Sequence, residues 1–392
     1  MNPEDFSTSS SGRIQRNPLG YYAFIPNNLP PVLTWSTSLV QALSLADRAL
    51  GELAGLGRAL PNPYLLATPF IRREAVLSSR IEGTRASDLY AYEAVLLSSL
   101  EQESSSDVQE VQNYVQALEF GLKRLSTLPV SSRLMRELHD HLMKGVRGQE
   151  RTPGEFRRSQ NWIGSPGSTL TNAVYVPPPV AEMQEALSEL ERFINERPEL
   201  PPLIRLGLIH YQFEAIHPFL DGNGRVGRLL ISLLLCSWEM LPQPLLYLSA
   251  YFEQNRQAYY DHLLAVSRHN QWEEWLIFFL TAIDLQARDA LMRIRALTAL
   301  QDEYRAYFRH QTRAPAGLLQ LVDILFGQPV ITINQVASQL NTSYQTARRY
   351  ITILEEAGFI SEMTGQMRNR IFIAKDILQA IENPPEEDSH AI

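Results

Sequence analysis

The chain has 392 residues, 45% of them apolar, enough for a sizeable buried core shared by two or three domains. Its formal charge of -8 excludes a protein that coats nucleic acid or anionic lipid, though not a local basic patch. Cys236 is the only cysteine, which excludes a disulfide within the chain and a zinc site built on several thiolates.

In chain order, residues 1–20 lack a basic stretch followed by an apolar one. They read as a disordered tail, not a signal peptide, so the expected compartment is the cytoplasm. Tyr21 to Val32, rich in aromatic residues and proline, reads as an extended segment laid over a domain surface. From Leu39 helical periodicity takes over, with Leu43, Ala46, Leu50, Leu53 and Leu56 at three- and four-residue steps. The same spacing predicts helices over Pro63 to Glu82, Ala86 to Leu100, Val108 to Leu125, Ser132 to Met143 and Ala181 to Asn195. Leu203 to Ile216, Val226 to Met240, Arg256 to Arg268 and Trp272 to Leu297 complete the set. Gln160 to Ile163 and Ala173 to Val176, stopped by Pro177, Pro178 and Pro179, read as a short hairpin on this helical body. The apolar run from Leu229 to Trp238 covers about half of what a membrane span needs, so no membrane partner is expected.

A boundary falls at Arg309 to Ala316. Beyond it, helices are predicted over Leu318 to Phe326 and Ile333 to Leu340, and a third follows the turn Asn341 to Tyr344 and ends at Gly358. Two short β-rich stretches follow, Phe359 to Met363 and Arg370 to Ala374. Helix, helix, turn, helix, hairpin is the layout of a winged helix-turn-helix. From Pro384 the chain reads as a solvated acidic tail.

The chemistry concentrates in His217-Pro-Phe-Leu-Asp-Gly-Asn-Gly-Arg-Val-Gly-Arg228. A helix ends at His217, a glycine-rich loop follows, and a second helix starts near Arg225. Loop amides and a helix N-terminus then face one point, an anion site suited to phosphates. Arg225 and Arg228, three apart, add two permanent cations; Asp221 suits magnesium, and His217 suits a general base. Gly222 to Gly227 also matches G-x-G-x-x-G, but a helix and not a strand precedes it. The nearest later acid, Glu239, lies inside the next helix, which argues against a dinucleotide fold. A lone histidine at a helix end is usually structural; this one opens a cluster holding an acid, three glycines and two arginines.

That segment resembles the full signature of the Fic family, and the helical body resembles the family's all-α core with its N-terminal extension. The resemblance implies transfer of AMP from ATP to a Ser, Thr or Tyr hydroxyl of a target protein, and of the protein itself. His217 would deprotonate the hydroxyl, and Asp221 would hold Mg2+ between the α- and β-phosphates. Gly222, Asn223 and Gly224 would cradle phosphate oxygens, and Arg225 and Arg228 would hold the β- and γ-phosphates. A lysine replaces Gly224 in the family's phosphate-transferring branch, so the glycine favours AMP transfer.

Ser78 and Glu82 lie four apart at the end of a predicted helix, with Gly83 as its stop. Alone, such a glutamate reads as solvated. Beside the signature it resembles the family's inhibitory motif, which implies that Glu82 pairs with Arg228 and blocks the productive γ-phosphate position. Trp162, Ile163 and Gly164, with Val174 to Pro177, resemble the flap that aligns the target backbone. Gly154 to Arg157 is also family-like, whether functional or a brace. Asn255, Tyr259 and Tyr260 resemble the adenine-flanking segment. The two tyrosines point about 100° apart on a helix, so one lines the pocket and core packing is the alternative for either.

The expected domains are therefore a tail (1–20), an N-terminal helical region with the inhibitory helix (21–125), the Fic core (126–300), the winged helix (316–380) and an acidic tail (381–392). In the winged helix, Tyr344, Gln345, Thr346, Arg348, Arg349, Tyr350, Arg368, Asn369 and Arg370 suit phosphates and bases. Five acids balance five bases between Leu318 and Asp376, which leaves DNA contact, protein docking and homodimer formation all open. Two other functions compete with AMP transfer. One is removal of AMP, with Glu82 placing a water; the other is transcription control by a nucleotide-sensing Fic body.

Overall fold

The computed structural model describes residues 1–60, 63–83, 106–196, 199–309, 315–365 and 369–382. The helix expected at Ala86 to Leu100, Arg368 of the wing and the acidic tail from Pro384 lie outside the described residues.

Residues 1–20 differ from the expected disordered tail. A 3-10 turn at Pro3–Phe6 leads to β1 (Gly12–Arg16), which pairs antiparallel with β2 (Tyr22–Pro26), Arg16 opposite Tyr22. The serine-rich composition misleads because one aromatic residue anchors the segment. Phe6 is 3% exposed, its ring against Phe24 and Tyr175, and Ser11 Oγ donates to the Val266 carbonyl. Burying that ring offsets part of the ordering entropy of a short polar stretch.

Helix α1 (Thr37–Ala59) starts at Ser36, whose side chain accepts the Leu39 N–H. α2 (Pro63–Ile81), α3 (Ser106–Arg124), α4 (Ser132–Met143) and α5 (Val180–Asn195) follow. The centre is α6 (Pro202–Ile216) and α7 (Asn223–Ser237), both buried over almost every residue, as helices apolar on all sides must be. α8 (Ser249–Gln254), α9 (Arg256–His269) and the long α10 (Trp272–Arg309) complete the body, with α1 lying along α10. α10 runs past the expected end at Leu297 because Tyr304 and Phe308 are buried against the C-terminal module.

That module holds α11 (Ala316–Gly327), β3 (Val330–Thr332), α12 (Ile333–Gln339), α13 (Tyr344–Glu356), β4 (Ser361–Glu362), β5 (Ile371–Ile373) and α14 (Lys375–Glu382). The strands run β3-β5-β4, all antiparallel. This is the expected winged helix with two additions, β3 and α14. Three residues of strand are too few to show an alternation. Thr332 and Gln335 form a capping box at α12, and Ser343 caps α13. Among the described residues no helix is long and apolar enough to cross a membrane.

Candidate active site

α6 ends at His217, which takes a left-handed conformation with φ 49° and ψ 61°. Its main chain is held from both sides. Its N–H bonds the Phe213 carbonyl, and its own carbonyl accepts from Arg157 Nε at 3.0 Å and Asn161 Nδ2 at 3.2 Å. The imidazole Nδ1 lies 3.2 Å from the Glu214 carbonyl oxygen. A carbonyl only accepts, so Nδ1 carries the proton and Nε2 keeps its lone pair. Burial pushes the His217 pKa down to about 4, so the ring is neutral at pH 7.

The loop after His217 is closed by Asn223, whose Oδ1 accepts the Phe219 N–H at 2.8 Å while Nδ2 donates to the Phe219 carbonyl at 2.9 Å. Both arms of that side chain serve the loop, so its amide, not its side chain, is open to a ligand. Gly222 opens α7 at φ 76° without a side-chain cap, and the first intrahelical bond runs from Val226 N–H to the Gly222 carbonyl. The amides of Asn223, Gly224 and Arg225 thus form an uncapped helix start, which favours an anion. Asp221 Oδ1 accepts the Gly222 N–H at 2.7 Å. One carboxylate fits magnesium arriving on phosphates, which needs one or two protein carboxylates. Among the described residues no group of three or more His, Cys, Asp or Glu could hold a metal by itself.

Glu74, Ser78 and Glu82 follow one another at four-residue steps along one face of α2 and its last turn. Arg228, 2% exposed, donates from Nε to Ser78 Oγ at 2.7 Å and from Nη2 to the Ser78 carbonyl at 2.9 Å and Glu82 Oε1 at 2.8 Å. The Glu82 side chain is 32% exposed. Burial opposes its charge, but Arg228, with Arg225 and His217 behind it, holds the carboxyl below its usual range. Arg225 turns away from Arg228. It lies 3.6 Å from Glu110 and 3.3 Å from Met143 Sδ, and its Nε and Nη1 make no hydrogen bond among the described residues. The two arginines share a helix but not a set of neighbours.

The expected hairpin is a single antiparallel bridge between Ile163 and Tyr175. Trp162, Ile163 and Val174 are exposed by 42%, 40% and 43%. Trp162 Nε1 donates to Ser168 O, and a Cβ on Gly164 would meet Ser168 Oγ. Tyr259 is buried, stacked on Phe252 and bonded to His210 Nε2 at 2.8 Å, so core packing accounts for it. Tyr260 is 39% exposed, its hydroxyl 3.4 Å from the Ile81 carbonyl, near Glu82. Asn255 joins α8 to α9, donating to the Tyr251 carbonyl.

Sequence reasoning missed several residues here. His139 stacks on Phe219 at 3.9 Å; its Nδ1 accepts the Gly154 N–H, so Nε2 donates to the Asp221 carbonyl. Burial lowers its pKa to about 4. Glu74 accepts from Ser249 Oγ and Tyr114 OH, and burial lifts its pKa to about 7. Glu214 is lifted to about 8, by burial first and Glu82 second, against the pull of Arg228. Only Glu74 carried a signal, its four-residue spacing from Ser78.

Three family models match the chain. Fic/DOC family N-terminal covers residues 40–123, Fic/DOC family covers 129–235, and DeoR-like helix-turn-helix domain covers 318–368. Relatives include the "Protein adenylyltransferase Fic" of Drosophila erecta, 37% identical over 101 residues, and of Aedes aegypti, 33% identical over 112. The matches take in 25% and 28% of this chain but only 18% and 19% of those relatives' lengths. A Fic family protein from Desulfovibrio desulfuricans G20 shares the fold, with a TM-score of 0.53 and 20% identity over 88% of this chain and 98% of its own. The motif at 217–228, its uncapped helix start and these matches agree: the chain carries Fic/DOC family domains over residues 40–123 and 129–235, followed by a C-terminal winged helix.

Proposed function

We propose that the protein transfers AMP from ATP to a hydroxyl of a target protein, and of itself, under restraint by Glu82. One observation carries the reading. A neutral histidine, its Nε2 lone pair without a partner among the described residues, stands beside an uncapped helix start, and the nearby cation Arg228 is already engaged by a carboxylate. In the reaction the target oxygen gives its proton to His217 Nε2 and forms a bond to the α-phosphorus. The bond from that phosphorus to the bridging oxygen breaks, and pyrophosphate leaves. The amides at 223–225 and the cation Arg228 stabilise the charge on the phosphates, with Arg225 behind them. Magnesium bound with ATP at Asp221 would neutralise phosphate charge. A target strand docks along the exposed edge at Trp162 to Gly164.

Glu82 restrains the reaction by occupying Arg228, so the γ-phosphate lacks its partner until the carboxylate leaves. The names of the insect relatives favour AMP as the group transferred. The test uses ATP labelled at the α-phosphate and three proteins: wild type, Glu82→Gly, and Glu82→Gly with His217→Ala. Strong label on the single variant that disappears from the double variant is expected. An unlabelled Glu82→Gly, both alone and with a cell lysate, would sink the reading.

A further inference from the structure

The C-terminal module rests on α2, the helix that delivers Ser78 and Glu82. α11 packs against α2, while α11 and α14 pack against α10. The seat is specific. Tyr304 of α10 stacks on Phe359 at 3.8 Å and bonds Asp376, and Arg305 pairs with Asp323 at 2.7 Å. Arg293 of α10 donates to the Ile381 carbonyl of α14 and, through Nε and Nη2, to both oxygens of Asp289. Asp289 also faces Arg73 of α2 at 3.7 Å. A chain of charged contacts therefore joins the last helix of the module to α2. Arg73 stands about 13 Å along that helix from Glu82, at 1.5 Å per residue.

The module's outer face has its own chemistry. Tyr344, Gln345, Arg348 and Arg349 are exposed on the first two turns of α13. Equal numbers of acids and bases in this region hide a segregation. Four of the five acids are engaged, Asp323 by Arg305, Glu355 by Arg370, Glu362 by Thr364 and Gly365, and Asp376 by Tyr304, while the fifth, Glu356, is exposed in the last turn of α13, two turns from Arg348 and Arg349. Arg348 and Arg349 have no carboxylate partner among the described residues. A helix start offering tyrosine, glutamine and unneutralised arginine suits phosphates and base edges of a duplex.

We infer that duplex DNA is an effector of this protein: bound on α13, it shifts the module against α2 and loosens Glu82 from Arg228. Glu82 is seated on Arg228, so a ligand that raises the rate must prefer the form in which it is released, and one that prefers the seated form would lower the rate. The inference rests on the AMP-transfer reading, and the experiment separates the two.

Full-length protein is mixed with a pool of duplexes carrying randomised cores, and retained sequences are amplified and re-selected. Wild type should retain duplexes with affinity falling steeply as salt rises. The selected duplex should raise the wild-type labelling rate three- to thirty-fold and leave Glu82→Gly unchanged. Arg348→Ala with Arg349→Ala should lose both retention and response while keeping the basal rate. Asp289→Asn should keep retention and lose the response. Deuterium exchange at the amides of residues 74–82 reads the coupling without any activity, and the duplex should speed it. No retention at low salt overturns the inference and leaves the face to a protein partner. Retention with unchanged exchange overturns the coupling. Unlabelled Glu82→Gly, with faster exchange on DNA, would sink AMP transfer and leave the coupling standing.

Discussion

A methyl group at residue 224 is the smallest perturbation aimed at the Glu82–Arg228 contact, because it alters neither partner. A Cβ there would lie 2.2 Å from Glu82 Oε1 and 2.9 Å from Arg228 Nη1. Carbon and oxygen approach to about 3.3 Å, so the carboxylate must retreat by about 1 Å. The 2.8 Å bond to Arg228 then stretches towards 4 Å, outside hydrogen-bonding range. A charge-assisted hydrogen bond contributes about 1.5–3 kcal/mol net, which corresponds to roughly 10- to 150-fold in the released population. Gly224 lies within α7, where alanine is also the better helix former. The assay is the initial rate of label transfer from ATP for wild type, Gly224→Ala, Glu82→Gly and the double variant. Gly224→Ala should exceed wild type by that factor, and the double variant should be no faster than Glu82→Gly. The double variant also controls for damage to the phosphate loop. If Gly224→Ala matches wild type while the double variant keeps the Glu82→Gly rate, the steric reasoning is refuted.

The pH profile of Glu82→Gly should stay level from pH 7 to about 5 and fall only towards the His217 pKa of about 4; a limb at the ordinary histidine value of about 6.5 would contradict this. Glu214 has a folded pKa of about 8, raised above its unfolded value, so the stability of its neutral form is complete below about 4.5 and lost as pH rises towards 8. Glu214→Gln should therefore gain on wild type in urea melts at pH 8 and nearly match it at pH 4.5. Arg157 donates to the carbonyls of His217, Ser159, Pro178 and Ile216, and lysine cannot reproduce that fork, so Arg157→Lys should cost about 2–4 kcal/mol in urea denaturation. Tyr260→Ala should raise the KM for ATP with little change in stability. Tyr259→Phe should do the reverse, losing about 1–3 kcal/mol with its bond to His210.

The helical body and the winged helix were legible because amphipathic periodicity reports burial directly, as Leu43 to Leu56 of α1 illustrate. The break between α6 and α7 was legible because proline, glycine and asparagine there interrupt the helical periodicity on either side. What escaped has physical causes. Phe6 orders the first residues through contacts with Phe24 and Tyr175, which no local window contains. His139 reaches the Asp221 carbonyl across 82 positions, and Arg293 reaches Ile381 across 88. Tyr259 and Tyr260 are neighbours in sequence, and only the packing around α9 decides which is buried. Equal counts of acids and bases in the winged helix do not say which acids are bonded.

The way Arg228 is held has a consequence for the stability of the site. A guanidinium 2% exposed is tolerated only beside negative charge, and in the resting protein the adjoining carboxylate of Glu82 supplies it. Under the proposed function, nucleotide binding would be an anion exchange: a phosphate would enter as the carboxylate withdraws, and the buried cation would never be bare. Glu82→Gly lacks the resting counter-ion, so its folded state should draw one from solution. Pyrophosphate or sulfate should raise its melting temperature more than that of wild type, and the same buried cation would then set the ionic conditions under which that variant is most stable.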